Sequence, residues 1–115
     1  MAELPLGEPA FLILTALAAE PKHGYAVIED VREISGGQVR LHAGTLYSVL
    51  DRLRTSGLIE VEREEIVQSR LRRYYRLTGA GQQRLSGEAL RLRRNADAAA
   101  SRLAGFTPRP GTGLA

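Results

Sequence analysis

Thr45, Ser48 and Arg52 stand at i, i+3 and i+7 of one stretch, a spacing that places all three on a single helix face. An arginine there can donate two parallel hydrogen bonds to a guanine edge, and the small polar pair can touch a thymine methyl or a phosphate. His42, Ala43 and Gly44 precede them, where the free N–H groups of a helix start favour a phosphate. His42 can donate to that phosphate or cap the helix. Tyr47 can bond a phosphate through its hydroxyl or pack its ring on a neighbouring helix, and Tyr25 offers the same two choices. Arg70, Arg72 and Arg73 follow in a β-rich stretch and suit phosphate or an adjacent minor groove. The alternative for these arginines is cross-strand pairing with Glu62, Glu64 and Glu65, which is worth little when exposed.

Other chemistries lack their residues. The two histidines, His23 and His42, are far apart and the chain has no Cys, so no metal site and no disulfide is expected. No phosphate-cradling glycine loop or nucleophile elbow occurs, and nothing places a Ser beside a His. No enzyme and no cofactor are expected.

The 115 residues suit one domain, and 43% hydrophobic with 25% charged residues is ordinary for a globular chain. No apolar run reaches the ~18–20 residues that cross a bilayer, so no membrane partner is expected. The stretch Pro9 to Ala19 is shorter, has no basic region before it and does not read as a signal peptide. A cytoplasmic location is the expectation. Net charge is +3, but residues 1–38 carry −4, residues 39–78 carry +3 and residues 79–115 carry +4. All fourteen basic residues after position 38 are Arg, whose forked donors suit phosphate.

The elements that must position these residues can be read in order. Glu8 to Ala19 predicts a helix apolar nearly all round, with Phe11 and Leu14 among its apolar residues, for which a second subunit is the simplest cover. Gly24 to Ser35 predicts a second helix, with Val27, Val31 and Ile34 buried, stopped by Gly36-Gly37. Ala43 to Ser56 predicts a third, with Leu46, Val49, Leu50 and Leu53 as its core stripe. Leu58 to Glu65 and Leu71 to Leu77 predict a hairpin whose tip lies near Val67 to Arg70. That tip lacks the Gly or Asn of a tight turn, so a looser, longer loop is expected. Tyr74 and Tyr75 fall on opposite strand faces, so at most one belongs to the core. Thr78 is placed to cap a last helix running to about Ala104. Leu85, Ala89, Leu92, Ala96, Ala99 and Leu103 repeat along that helix at 4, 3, 4, 3, 4, a heptad seam suited to a homodimer; an ordinary amphipathic helix on its own domain is the alternative.

This order is the winged helix-turn-helix layout, mostly α with a small β-hairpin, with a long C-terminal helix added. The expected division is a DNA-binding domain over 1–78, a dimerisation helix over 79–105 and a disordered tail over 106–115. Double-stranded DNA is the expected partner. A winged-helix module that binds protein and not DNA is the alternative, although such a module more often shows an apolar patch on the third helix and wing.

At this point the residues resemble a known family. His23-Gly24-Tyr25-Ala26-Val27-Ile28 is similar to the second-helix entry of PadR-type regulators. Gly44-Thr45-Leu46-Tyr47, Leu50, Arg52-Leu53 and Gly57-Leu58-Ile59 resemble their recognition helix and its exit. Arg73-Tyr74-Tyr75-Arg76-Leu77-Thr78, with Gly81, resembles their second wing strand and the start of the last helix. The resemblance covers about residues 8 to 85, and the short C-terminal part is similar to the subgroup that dimerises through one long helix. It implies a homodimeric repressor on a palindromic operator, in a family many of whose members are released by a small-molecule effector. Some short relatives stack flat drugs on an aromatic of the last helix; Ala80 to Ala104 has none and offers Leu90 and Leu92 instead. Any effector site is therefore expected between subunits, lined by apolar residues of the first and last helices.

Overall fold

A computed structural model of the chain describes residues 4–111. Its elements are α1 (Glu8–Ala19), β1 (Lys22–His23), α2 (Gly24–Ile34), α3 (Ala43–Thr55), β2 (Ile59–Val67), β3 (Arg70–Leu77) and α4 (Gly79–Ala104). The helix bounds match the sequence expectations to within a residue or so. The expected fold class, a winged helix-turn-helix with a long last helix, is the one observed. Two-residue β1 has no counterpart in the sequence reading. It pairs antiparallel with β3 through Lys22 opposite Tyr75 and His23 opposite Tyr74, giving the sheet order β1-β3-β2. So short a segment carries no alternation to detect; it is a strand because β3 has a free edge beside it.

Helix α1 is the centre of the core. Ile13, Leu14 and Ala16 have no exposed surface. Their cover comes from α2, α3, α4 and β3 of the same chain, which corrects the expectation that a second subunit is the simplest cover. Leu14 offers nothing to a partner, and Phe11 is half-buried against the same core. The stripe Leu46, Val49, Leu50 and Leu53 packs α3 inward with Val27 and Val31 of α2. Each fully buried side chain of this kind contributes about 1.5–3 kcal/mol. On the sheet Ile59 and Tyr75 close the core, so Tyr75 is the inward tyrosine.

The start of α4 is fixed by a backbone junction. The Thr78 hydroxyl accepts the Gly81 N–H at 3.0 Å and donates to the Gly57 carbonyl at 2.7 Å. The Thr78 N–H donates to the Leu58 carbonyl at 3.1 Å. Gly81 lies so close to this carbonyl that a Cβ would collide with the Leu58 oxygen and fall 2.8 Å from Leu77 Cδ1. Only glycine allows α4 to leave the sheet at this point.

Beyond the junction α4 runs 26 residues, about 39 Å at 1.5 Å per residue. Leu85 packs against the domain core, but from Ala89 to Ala104 every residue except Arg91 is exposed. The chain measures 64 Å along its longest axis and has a radius of gyration of 18.1 Å, against about 13 Å for a compact domain of this size. Phe106 to Gly111 form no helix or strand and are exposed; the remainder of the expected disordered tail, like residues 1–3, lies outside the described residues.

One buried carboxylate ties the N-terminal segment to α4. Glu88, 3% exposed, accepts the Leu6 N–H at 3.2 Å and the Arg91 guanidinium at 2.6 and 3.2 Å, with Arg84 at 3.5 Å. Arg84 also donates to the Leu4 carbonyl. The Arg91 hydrogen bond outweighs the opposing effect of burial and holds the Glu88 carboxyl below its ordinary value of 4.5. A depressed folded-state value contributes stability that is complete above the unfolded value and is lost as pH falls. Wild type should therefore lose more stability than Glu88→Gln between about pH 6 and about pH 3 in urea melts; equal losses would contradict this role.

Candidate nucleic-acid interface

Helix α3 presents two faces. The inner face carries the core stripe, and the outer face carries Thr45, Ser48 and Arg52, all exposed. The spacing read from the sequence thus brings the three together on open surface. The first turn of α3 is uncapped: His42 sits at the N-cap position with no side-chain cap bond and is exposed. Capping, one of the two roles open to His42, is not the one it takes. The N–H groups of that turn remain available to an acceptor from outside.

Tyr47 lies on the side of α3 that meets α2. A Cβ at Gly24 would fall 2.5 Å from its hydroxyl oxygen and 3.1 Å from Leu46 Cδ2, so the glycine lets the tyrosine lie on the start of α2. Tyr47 nonetheless stays 49% exposed, and Tyr25 66%. Packing and a free edge therefore coexist in Tyr47. His23 caps α2 by accepting the Ala26 N–H at Nδ1, 3.3 Å away. Burial and the nearby Arg72 charge lower its pKa, against an opposing pull from Glu65, which favours the unprotonated nitrogen that the cap requires.

Between α3, the start of α2 and the hairpin lies a groove of about 760 Å³, lined by Tyr25, Tyr47 and Asp51 on one side and by Val67, Gln68, Arg70, Leu71, Arg72 and Arg73 on the other. The sequence reading did not single out Asp51. Its place on the wing side of α3, one turn after Tyr47, was the available signal.

The hairpin departs from expectation at its tip. Val67 is paired with Arg70, so the turn has only two residues, Gln68 and Ser69, with φ of 52° and 65°. This is a tight turn of the type I′ kind, not the looser loop expected. The ladder beside it continues to its last pair, and the regular pairing imposes positive φ on residues that do not favour it. Nearer the core a bulge at Glu62 shifts the register between Val61 and Arg63.

The wing arginines fall into two groups. Arg73 binds Glu64 and Arg76 binds Glu60, each at 2.7 Å, while Arg63 binds Glu62 at 2.8 Å. The Arg63 guanidinium also covers the Tyr74 ring at 3.8 Å, and the Tyr74 hydroxyl donates to Glu65 at 2.9 Å. Arg70 and Arg72 form no ion pair among the described residues. Of the three candidates in the wing, Arg73 makes a cross-strand pair with Glu64, and Arg70 and Arg72 make none among the described residues. Among the described residues no group of His, Cys, Asp or Glu could hold a metal, and no helix is long and apolar enough to cross a membrane.

Residues 13–87 match the model of the transcriptional regulator PadR-like family. A 37.1 kDa protein in transposon TN4556 of Streptomyces fradiae is 40% identical over 78 residues, covering 68% of this chain and 21% of that protein. The chain thus spans about a fifth of that relative's length. A PadR family transcription regulator from Clostridium difficile R20291 superposes with a TM-score of 0.73 at 26% identity, over 84% of this chain and 99% of that one. Bacillus subtilis PadR, solved in complex with operator DNA, superposes with a TM-score of 0.60 at 22% identity, over 92% of this chain and 53% of its own.

Because a left-handed backbone costs a non-glycine residue roughly 1–2 kcal/mol, Ser69→Gly should stabilise the domain by about 1 kcal/mol. Chemical denaturation measures this. A destabilised variant would show that the tip is not a tight turn.

Proposed function

Because this chain belongs to the PadR-like family of transcriptional regulators, we propose that it acts as a homodimeric repressor that binds a pseudo-palindromic operator. The observation that carries this is the uncapped start and open outer face of α3, set beside a wing with two unpaired arginines. Arg52 reads a base edge, Thr45 and Ser48 flank it, and His42 with the first N–H groups of α3 holds a phosphate. Tyr25 and Tyr47 offer hydroxyls to the backbone beside them. Arg70 and Arg72 extend the cationic surface along the duplex.

The dimer forms through Ala89, Leu92, Ala96, Ala99 and Leu103, the part of the seam with no cover from its own chain. Phe11 and Leu85, both half-buried against the core, complete the apolar residues assigned to it. The alanines let two helices approach closely, and pairing them would set the recognition helices about one DNA turn apart, ~34–36 Å. A small-molecule effector would meet Leu90 and Leu92, 61% and 38% exposed, between the subunits. The dimer would then respond by changing the spacing of its two α3 helices.

Binding isotherms at several salt concentrations test the division of labour. Arg52→Ala should weaken binding to a selected operator and relax its preference at one position. Arg72→Ala should weaken binding to all sequences about equally and lower the salt slope by about one. If both variants bind as wild type does, α3 and the wing are not the contact surface.

A further inference from the structure

The outer side of α3 carries a carboxylate to which the roles given to Thr45, Ser48 and Arg52 assign nothing. Asp51 follows Ser48 by three residues and Tyr47 by four, so it stands one turn beyond them on the same side of the helix. It is exposed, and among the described residues lining the groove between α3 and the wing it is the one acid. Its backbone carbonyl accepts the Thr55 hydroxyl at 2.9 Å, which turns that hydroxyl away from the side chain. Among the described residues the Asp51 carboxylate accepts no hydrogen bond and forms no ion pair, although Arg52 and Arg54 share its helix and Arg70 and Arg72 line the same groove. The wing differs. Each glutamate of β2 is held, Glu60 by Arg76, Glu62 by Arg63, Glu64 by Arg73 and Glu65 by the Tyr74 hydroxyl.

A carboxylate turned toward DNA is repelled by the phosphates. In the major groove it is also repelled by the acceptors of guanine, N7 and O6, and of thymine, O4. Two groups there donate, cytosine N4 and adenine N6. Adenine N6 lies beside N7, an acceptor that would face the second carboxylate oxygen, whereas cytosine N4 has a C–H beside it on its own base. Resting on the DNA-binding reading, we propose that Asp51 is a specificity-determining residue that accepts a hydrogen bond from the N4 amino group of one cytosine in each half-site. The same charge weakens binding wherever that position holds another base. Asp51 therefore acts on the ratio of specific to non-specific affinity more than on affinity itself. Arg52, the next residue, has the complementary chemistry: it donates to guanine where Asp51 accepts from cytosine.

The test uses the full chain. Operators are selected from random duplexes by wild type and by Asp51→Ala, which removes the carboxylate at an exposed position and favours helix. Wild type should fix a cytosine at one position of each half-site where the variant accepts several bases. That cytosine is then replaced by N4-methylcytosine, which still pairs with guanine but carries a methyl group in place of the N–H that faces the major groove. Wild-type affinity is expected to fall about tenfold. The variant should bind both duplexes alike, and it should bind unrelated DNA more tightly than wild type does. Two results would overturn the proposal: wild type indifferent to N4-methylation at every cytosine of its operator, or a variant that loses as much affinity as wild type. The first comparison needs no variant, so it decides the matter even if Asp51→Ala fails to fold. A wild-type protein with no salt-dependent binding to any duplex would overturn the DNA reading itself. Salt-dependent binding that ignores the cytosine amino group would overturn only the role given to Asp51.

Discussion

The approach of Gly81 to the Leu58 carbonyl is the contact on which the geometry of this molecule turns. Around it, within a few residues of chain, meet the exit of α3, the root of both wing strands and the start of α4. Thr78 bonds all three, accepting from Gly81 and reaching back to Gly57 and Leu58. The α3 exit is itself held by the Leu58 N–H on the Leu53 carbonyl at 2.9 Å. Because no side chain intervenes at Gly81, the direction of α4 relative to α3 is set by backbone contact and not by adjustable packing. A 26-residue helix magnifies any change at its base. The exposed seam, far out on that helix, inherits its position from this one junction.

Charge is organised by the same frame. Along the wing, three glutamates sit within reach of three arginines and hold them. These pairs are exposed and add little to stability. Arg70 and Arg72, nearest the tip, are left open beside the groove that α3 shares. At the other end of the molecule, Glu88 gathers Arg84 and Arg91 and secures the N-terminal segment. The outer residues of α4 are left to solvent or to a partner.

Much of this was legible before any coordinates. Apolar spacing at the helical period showed α2 to α4, and α1 was read from a continuous apolar run; Gly36-Gly37 marked one of the stops. The Thr78 cap and the outer face of α3 followed from local rules alone. What escaped depended on contacts distant in sequence. The cover of α1 was misassigned because an all-apolar helix looks the same whether its own chain or another surrounds it. Strand β1 exists only because β3 has an edge to pair with. The turn at Gln68-Ser69 is imposed by the ladder on either side, against the preference of its own residues. Cross-strand pairing of the wing arginines was foreseen as an alternative, but which glutamate Arg73 takes needed a register that the bulge at Glu62 shifts by one.

The central claim is that α4 pairs two copies so that their α3 helices stand one DNA turn apart. The chain has no native Cys, so Ser48→Cys gives a single spin-label site on each α3. The dipolar distance between labels in the free protein measures the spacing directly. The expected result is one dominant distance near ~34–36 Å, broadened by the label arms. No dipolar coupling at concentrations where the chain is fully associated, or a dominant distance far from one turn, would contradict the account.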